Sequence, residues 1–203
     1  TTISYGNDAD CKGTLLSSSP FVRLEWENLK ISSNLYGSYN YNNILAAICI
    51  GNYFNVAPKN IKNAIETYFP TNNRSQIIKT KSNTIFLDAY NANPTSMEAA
   101  IDAFKENEEK NKLMILGDML ELGNISKKEH QKIVTKTKQL QLNAIFIGKA
   151  FNAIDTKFDF TFLADVEKVI DWLKHSGLTQ HHILIKGSRG IQLEKAASFM
   201  QQH

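Results

Sequence analysis

Apolar and polar residues change their spacing once along this chain, and the change divides it. From residue 1 to about 35 the apolar positions fall in short alternating runs broken by turns, at residues 2–5, 13–17, 21–26 and 29–33. Alternation of this kind predicts β-strands with one covered face, here an antiparallel edge. Two helices follow. Ile44, Leu45, Ile48 and Cys49 share one face of a helix over residues 41–53, and a second helix runs over 59–68 with Pro58 at its start.

Beyond residue 75 the pattern turns regular. Short apolar runs at 84–87, 113–116, 144–147, 160–163 and 183–185 alternate with helical spacing at 95–107, 127–140, 166–175 and 193–201. Strands alternating with helices predict a parallel, doubly wound α/β sheet. Asn93 is a natural N-cap with Pro94 as the first helical residue. Ser126-Lys127-Lys128-Glu129 has the form of a capping box, and Val166, Val169, Ile170 and Leu173 make a core-facing stripe. The polar stretch from Thr71 to Ser75 is the natural boundary, giving domains at 1–70 and 71–203.

Composition narrows the class. At 42% hydrophobic and 21% charged the chain reads as an ordinary globular protein, and a net charge of +3 with dispersed Lys and Arg calls for no nucleic-acid partner. Two cysteines, Cys11 in an expected strand and Cys49 in a helix, make no disulfide framework or metal motif, so a reducing cytoplasm is expected. The longest apolar run, 44–50, is too short to span a bilayer, so no membrane partner is expected. The absence of an initial methionine suggests a piece of a longer protein.

Candidate chemistry sits where strands end. Asp88 closes an apolar strand and leads through Tyr90, Asn91 and Asn93 into a helix, the layout in which open α/β sheets bind ligands. The same residues also make a well-capped turn. Gly117 to Gly123 and Lys186-Gly187-Ser188-Arg189-Gly190 likewise follow strands. In the second, glycines let the backbone approach an anion while Lys186 and Arg189 add charge, or else it is a tight turn. Asn40 and Asn43, in the Asn-rich turn that leads into the first helix, offer amides that could read a polar ligand edge, and helix capping explains Asn40 equally well. His130, near a helix start, is expected at the surface or as a cap. Neither G-x-x-x-x-G-K-[ST] nor G-x-G-x-x-G occurs.

Four motifs in register carry a resemblance: D-x-Y-N-A-N-P-x-S-M from Asp88, L-G-D-M-x-E-L-G from Leu116, Glu129-His130, and K-G-S-R-G from Lys186. Together they resemble the Mur ligase family, in the branch that joins D-alanyl-D-alanine to UDP-N-acetylmuramoyl-tripeptide. The resemblance implies a Rossmann-like, mostly parallel C-terminal domain preceded by an α+β remnant of a central ATPase domain. It implies ATP and Mg2+, with the P-loop and magnesium ligands outside this chain, an acyl phosphate attacked by the dipeptide amine, and closure about the 71–75 linker. A fragment of this kind is expected to be inactive alone. Carried over by position, Asn40, Asn43, Arg74 and Asp88 would serve ATP, although Tyr39 and Asn73 stand where the family carries histidine and glycine. Asn91, Asn93, Lys186, Ser188 and Arg189 would face the amino-acid substrate. Another Mur-type or folylpolyglutamate-type ligase, or a non-catalytic nucleotide- or peptide-binding module, remain alternatives. Self-association through residues 1–35 is expected from strands that have lost their partners.

Overall fold

The computed structural model describes residues 2–6, 9–155 and 157–202. By internal packing the chain forms two compact units, Thr1–Pro70 and Thr71–His203.

In the first unit β1 (Thr14–Ser17), β2 (Phe21–Trp26) and β3 (Leu29–Tyr36) form an antiparallel sheet in that order. Glu27 and Asn28, at φ 47° and 61°, make the two-residue turn of the β2–β3 hairpin, since two positive φ angles match the twist of the flanking strands. Val22, Leu24 and Trp26 alternate inward and meet Ile44, Leu45 and Ile48 of α1 (Asn40–Tyr53). Helix α2 (Pro58–Thr67) adds Ile61 to the same core.

The second unit begins with β4 (Gln76–Lys79) and β5 (Thr84–Asp88), then α3 (Pro94–Glu106), β6 (Lys112–Gly117) and α4 (Ser126–Gln139). It continues through β7 (Asn143–Ile147), the single turn α5 (Lys149–Asn152), β8 (Thr161–Leu163), α6 (Val166–Ser176), β9 (His182–Lys186) and α7 (Glu194–Gln202). The sheet order is β4-β5-β9-β6-β7-β8, parallel except for β4. Ile85, Leu87, Ile183 and Ile185 face α6 and α7 through Val169 and Ala196. Phe86 points the other way and meets Phe104 of α3, ring centroids 5.8 Å apart. Both faces are therefore covered, which is why the strands read as continuous apolar runs. This is the expected mixed α/β architecture with a mostly parallel sheet.

Several local expectations are corrected. Residues 2–5 form no strand among the described residues; Tyr5 makes one isolated bridge to Cys11, because alternation without a neighbouring strand has no ladder to join. Strand β4 was not expected: its two isoleucines, Ile77 and Ile78, are too short a run to show a period between polar flanks, and it pairs antiparallel at the sheet edge. Strand β3 runs three residues further than its alternation suggested. Ser126 does not cap α4. A 3-10 turn over Gly123–Ile125 feeds straight into the helix, so Ser126 already has helical φ and ψ and Ile125 occupies the cap. Asn93, by contrast, forms a full capping box with Ser96, its Oδ1 accepting from the Ser96 N–H at 2.8 Å.

Candidate functional site

Strand register places the charged groups. Asp88 lies opposite Lys186, and Lys186 opposite Leu116, so β5, β9 and β6 all end at one level on the carboxyl edge of the sheet. Paired residues on adjacent parallel strands point to the same face, and the Lys186 Nζ donates to Asp88 Oδ2 at 2.6 Å. The Lys186 side chain is 1% exposed and that of Asp88 15%. Lys186 also donates to the Asn91 carbonyl at 3.3 Å, while Asp88 Oδ1 accepts from the Ser75 N–H at 3.3 Å. The ammonium is thus committed inside the protein, tying the first residue of one loop to the start of another.

Two guanidinium groups gather on one ring. Arg74 stacks on Tyr90 with its Cζ 3.8 Å from the ring centroid, and Arg189 lies 5.4 Å from the same centroid. Both arginines are exposed, and neither pairs with a carboxylate among the described residues. Cation–π contact holds them in place while leaving their N–H donors available to an anion. Tyr90 is itself fixed by its N–H, which donates to the Asn73 carbonyl at 3.2 Å. The sequence motif contains Tyr90, yet nothing in its spacing announces a shared platform for residues 16 and 99 positions away in the chain.

The remaining expected residues divide. Ser188 joins the cluster: its Oγ accepts from the Leu120 N–H at 2.9 Å and donates to the Ala92 carbonyl at 3.4 Å. Asn91 and Asn93 are exposed beside it, with Asn91 Oδ1 accepting from the Ala92 N–H at 2.8 Å and Asn93 acting as the α3 cap. Asn40 and Asn43 belong to the first unit. Asn40 is buried as the first residue of α1 and does not cap it. Its Nδ2 donates to the Tyr36 carbonyl at 2.7 Å, and its Oδ1 accepts from Asn43 Nδ2 at 3.0 Å.

Sequence reasoning missed the support beneath these loops. Asp118 is buried, and its two carboxylate oxygens accept from the Ala150 and Phe151 N–H groups at 2.8 and 2.9 Å. Gly148, at φ +117°, lets the β7–α5 turn pass over that carboxylate, where any Cβ would collide with it. His130 is fully buried rather than at the surface, packed edge-on against Phe151 at 4.5 Å. The reason is tertiary: the turn that covers it comes from a different strand. Gly187 and Gly117 meet where β9 and β6 end, close enough that a Cβ on Gly187 would come within 3.0 Å of the Gly117 Cα.

The second unit is thus a doubly wound α/β domain with two exposed guanidinium groups and a buried ion pair at the carboxyl ends of its strands, the edge at which open α/β sheets bind ligands. The family model for the Mur ligase, glutamate ligase domain matches residues 73–189, and the chain belongs to the Mur ligase family. The UDP-N-acetylmuramoyl-tripeptide–D-alanyl-D-alanine ligase of Bacillus subtilis is 33% identical over 171 residues, covering 79% of this chain and 37% of that protein. The ligase of the same name from Rickettsia prowazekii is 32% identical over 136 residues, covering 64% of this chain and 30% of that one. The matched part of the chain therefore spans only about a third of the length of these relatives. In fold it is similar to the crystal structure of MurF from Acinetobacter baumannii, with TM-score 0.80, 24% identity, and 99% of this chain covered against 47% of that one. It is also similar in fold to MurF ligase from Thermotoga maritima in complex with ADP, with TM-score 0.79, 19% identity, and coverage of 100% and 48%.

Proposed function

We propose that this chain is part of an ATP-dependent ligase that joins D-alanyl-D-alanine to UDP-N-acetylmuramoyl-tripeptide, through an acyl phosphate that the dipeptide amine attacks. The supporting observation is the pair of exposed, carboxylate-free guanidiniums on Tyr90, beside Asp88 and Ser188 at the carboxyl edge of the sheet. Arg74 would orient the ATP phosphates, and Asp88, held by Lys186, would present its carboxylate to the ribose. Ser188 and Arg189, with the Asn91 and Asn93 amides, would orient the dipeptide for attack. In the first unit Asn40 and Asn43 would serve the adenine. Phosphoryl transfer needs charge stabilisation from a metal and a P-loop lysine. The chain contains no P-loop motif, and among the described residues no group of three His, Cys, Asp or Glu is placed to hold a metal. The fragment alone should therefore be inactive.

The domain at 1–70 would be the end of a central ATP-binding domain, that at 71–203 the C-terminal domain, and the setting cytoplasmic. No helix among the described residues is long and apolar enough to cross a membrane. The test is product formation by a full-length polypeptide carrying this chain, supplied with ATP, UDP-N-acetylmuramoyl-tripeptide and D-alanyl-D-alanine. The expected result is ADP and the extended peptide, with none from the 203-residue chain alone. Robust product from the chain alone, or a preference for a single amino acid over the dipeptide, contradicts the proposal.

A further inference from the structure

Three loops of the candidate site converge on Ser188. Its N–H donates to the Asp118 carbonyl at 3.1 Å, its Oγ accepts from the Leu120 N–H at 2.9 Å, and the same Oγ donates to the Ala92 carbonyl at 3.4 Å. The next residue, Arg189, lies over Tyr90. The two bonds that Ser188 makes to the 118–120 segment flank one residue, Met119. Its own N–H donates to Nε2 of His130 at 3.0 Å, and its side chain is 1% exposed.

His130 has its tautomer fixed by what surrounds it. Nδ1 lies 2.8 Å from the Ser126 carbonyl, which can only accept, so Nδ1 carries the proton. Nε2 is then free to accept from Met119, and a proton there would face that N–H head-on. The ring is 0% exposed and wedged against Phe151, with Asp118 Oδ1 3.6 Å from Nε2. A buried peptide N–H without this acceptor would have no protein partner, a state that structures avoid.

We propose that His130 is a positioning residue for the substrate loop. By accepting from Met119 it holds the 118–120 segment in the conformation that fixes Ser188, and through it sets the placement of Arg189. The inference rests on the reading of the 186–190 loop as a substrate contact, but its structural part stands apart from that reading. It also gives His130 of the Glu129-His130 motif a physical reason: from the first turns of α4 it grips the loop that follows β6 from below.

The test is amide hydrogen exchange on the whole 203-residue chain, comparing the wild type with His130→Asn and His130→Gln. A glutamine reaches the Nε2 position and can still accept from Met119, whereas an asparagine reaches only the Nδ1 position and keeps the Ser126 bond. Exchange at Met119, Leu120 and Ser188 should rise about 10- to 100-fold in the asparagine variant, the factor set by leaving one buried N–H unpaired. Leu116 and Ile185 in the neighbouring strands should hold their rates, and the glutamine variant should stay within about threefold of wild type at all five amides. Unchanged protection in His130→Asn, or a uniform rise through the sheet, overturns the proposal. So does a wild-type ring protonated at Nε2 in long-range 1H–15N correlation, a reading that holds even where the asparagine variant does not fold. Titration with D-alanyl-D-alanine separates the functional half. Affinity about tenfold weaker in His130→Asn and restored in His130→Gln supports it, because only the ordered fraction of the loop binds. Equal affinity despite faster exchange overturns it. A wild-type chain that ignores the dipeptide counts against the substrate assignment, and exchange then decides the role of His130.

Discussion

Removing Asp88 should be far more damaging than its partial exposure suggests. The Lys186 side chain is 1% exposed, and its ammonium has two acceptors, Asp88 Oδ2 at 2.6 Å and the Asn91 carbonyl at 3.3 Å. Asp88→Ala leaves a buried cation with one neutral acceptor, and breaking a buried pair from one side costs about 3–5 kcal/mol. Asp88 is 15% exposed, so water can enter the vacated space, and the lower end of that range, about 3 kcal/mol, is the expected loss. Lys186→Met leaves a carboxylate that water already reaches and should cost about 1–2 kcal/mol. Combining the two should cost less than their sum, with a coupling of about 1–3 kcal/mol.

The assay is urea unfolding followed by tryptophan fluorescence. The chain has two tryptophans, Trp26 in the first unit and Trp172 in the second, so a Trp26→Phe background reports the second unit alone. With slopes of about 1–3 kcal/mol/M, Asp88→Ala should lower the midpoint by about 1–3 M. A loss under about 1 kcal/mol, or additivity of the two changes within about 0.3–0.5 kcal/mol, would refute the view that this pair ties the β5 and β9 loops together.

Capping offers a paired comparison: Asn93→Ala should cost about 1 kcal/mol, whereas Ser126→Ala should stay within about 0.5 kcal/mol because Ser126 caps nothing, both read by thermal unfolding. Gly148→Ala should destabilise the second unit by about 2 kcal/mol or more, since it adds both a strained φ and a collision with the Asp118 carboxylate; a neutral effect in the same urea assay would refute this. Burial, and then the neighbouring Cys49, push the Cys11 thiol from 9.0 up to about 11. The folded first unit therefore favours the neutral thiol, and the contribution of this thiol to stability should be constant below pH 9 and fall as pH rises towards 11; Cys11→Ala should remove that part of the slope in pH-dependent unfolding followed by Trp26.

What was legible in the sequence was whatever local pattern determines. Strand β5 and helix α3 were readable because an apolar run, Asn93 and Pro94 fall in the only order that caps a helix there. The alternation of β2 gave its buried face, and the helical spacing of α1 gave Ile44, Leu45 and Ile48. Elements too short for a period were lost. One-turn α5 leaves no helical stripe, and β4 is only four residues long, with Ile78 alone buried in the core. In the candidate site the motifs supplied Asp88, Lys186, Ser188 and Arg189, but the partnership of Asp88 with Lys186 spans 98 positions and appears only once β5 and β9 pair. His130 is the clearest case. Its surroundings are polar in sequence and apolar in space, because Phe151 and the Gly148 turn arrive from another strand.

The central claim is that the loops ending β5, β9 and β6 form one ligand edge in the second unit. The most direct measurement is a titration of the 15N-labelled chain with ATP and, separately, with D-alanyl-D-alanine at millimolar concentration, reading backbone amide shifts. The account predicts perturbation by ATP at Arg74 and Asp88, and perturbation by the dipeptide at Asn91, Ser188 and Arg189. The far edge of the sheet around Asn143 and Thr161 should stay unmoved. Shifts concentrated at that far edge, or none with either ligand, would contradict it.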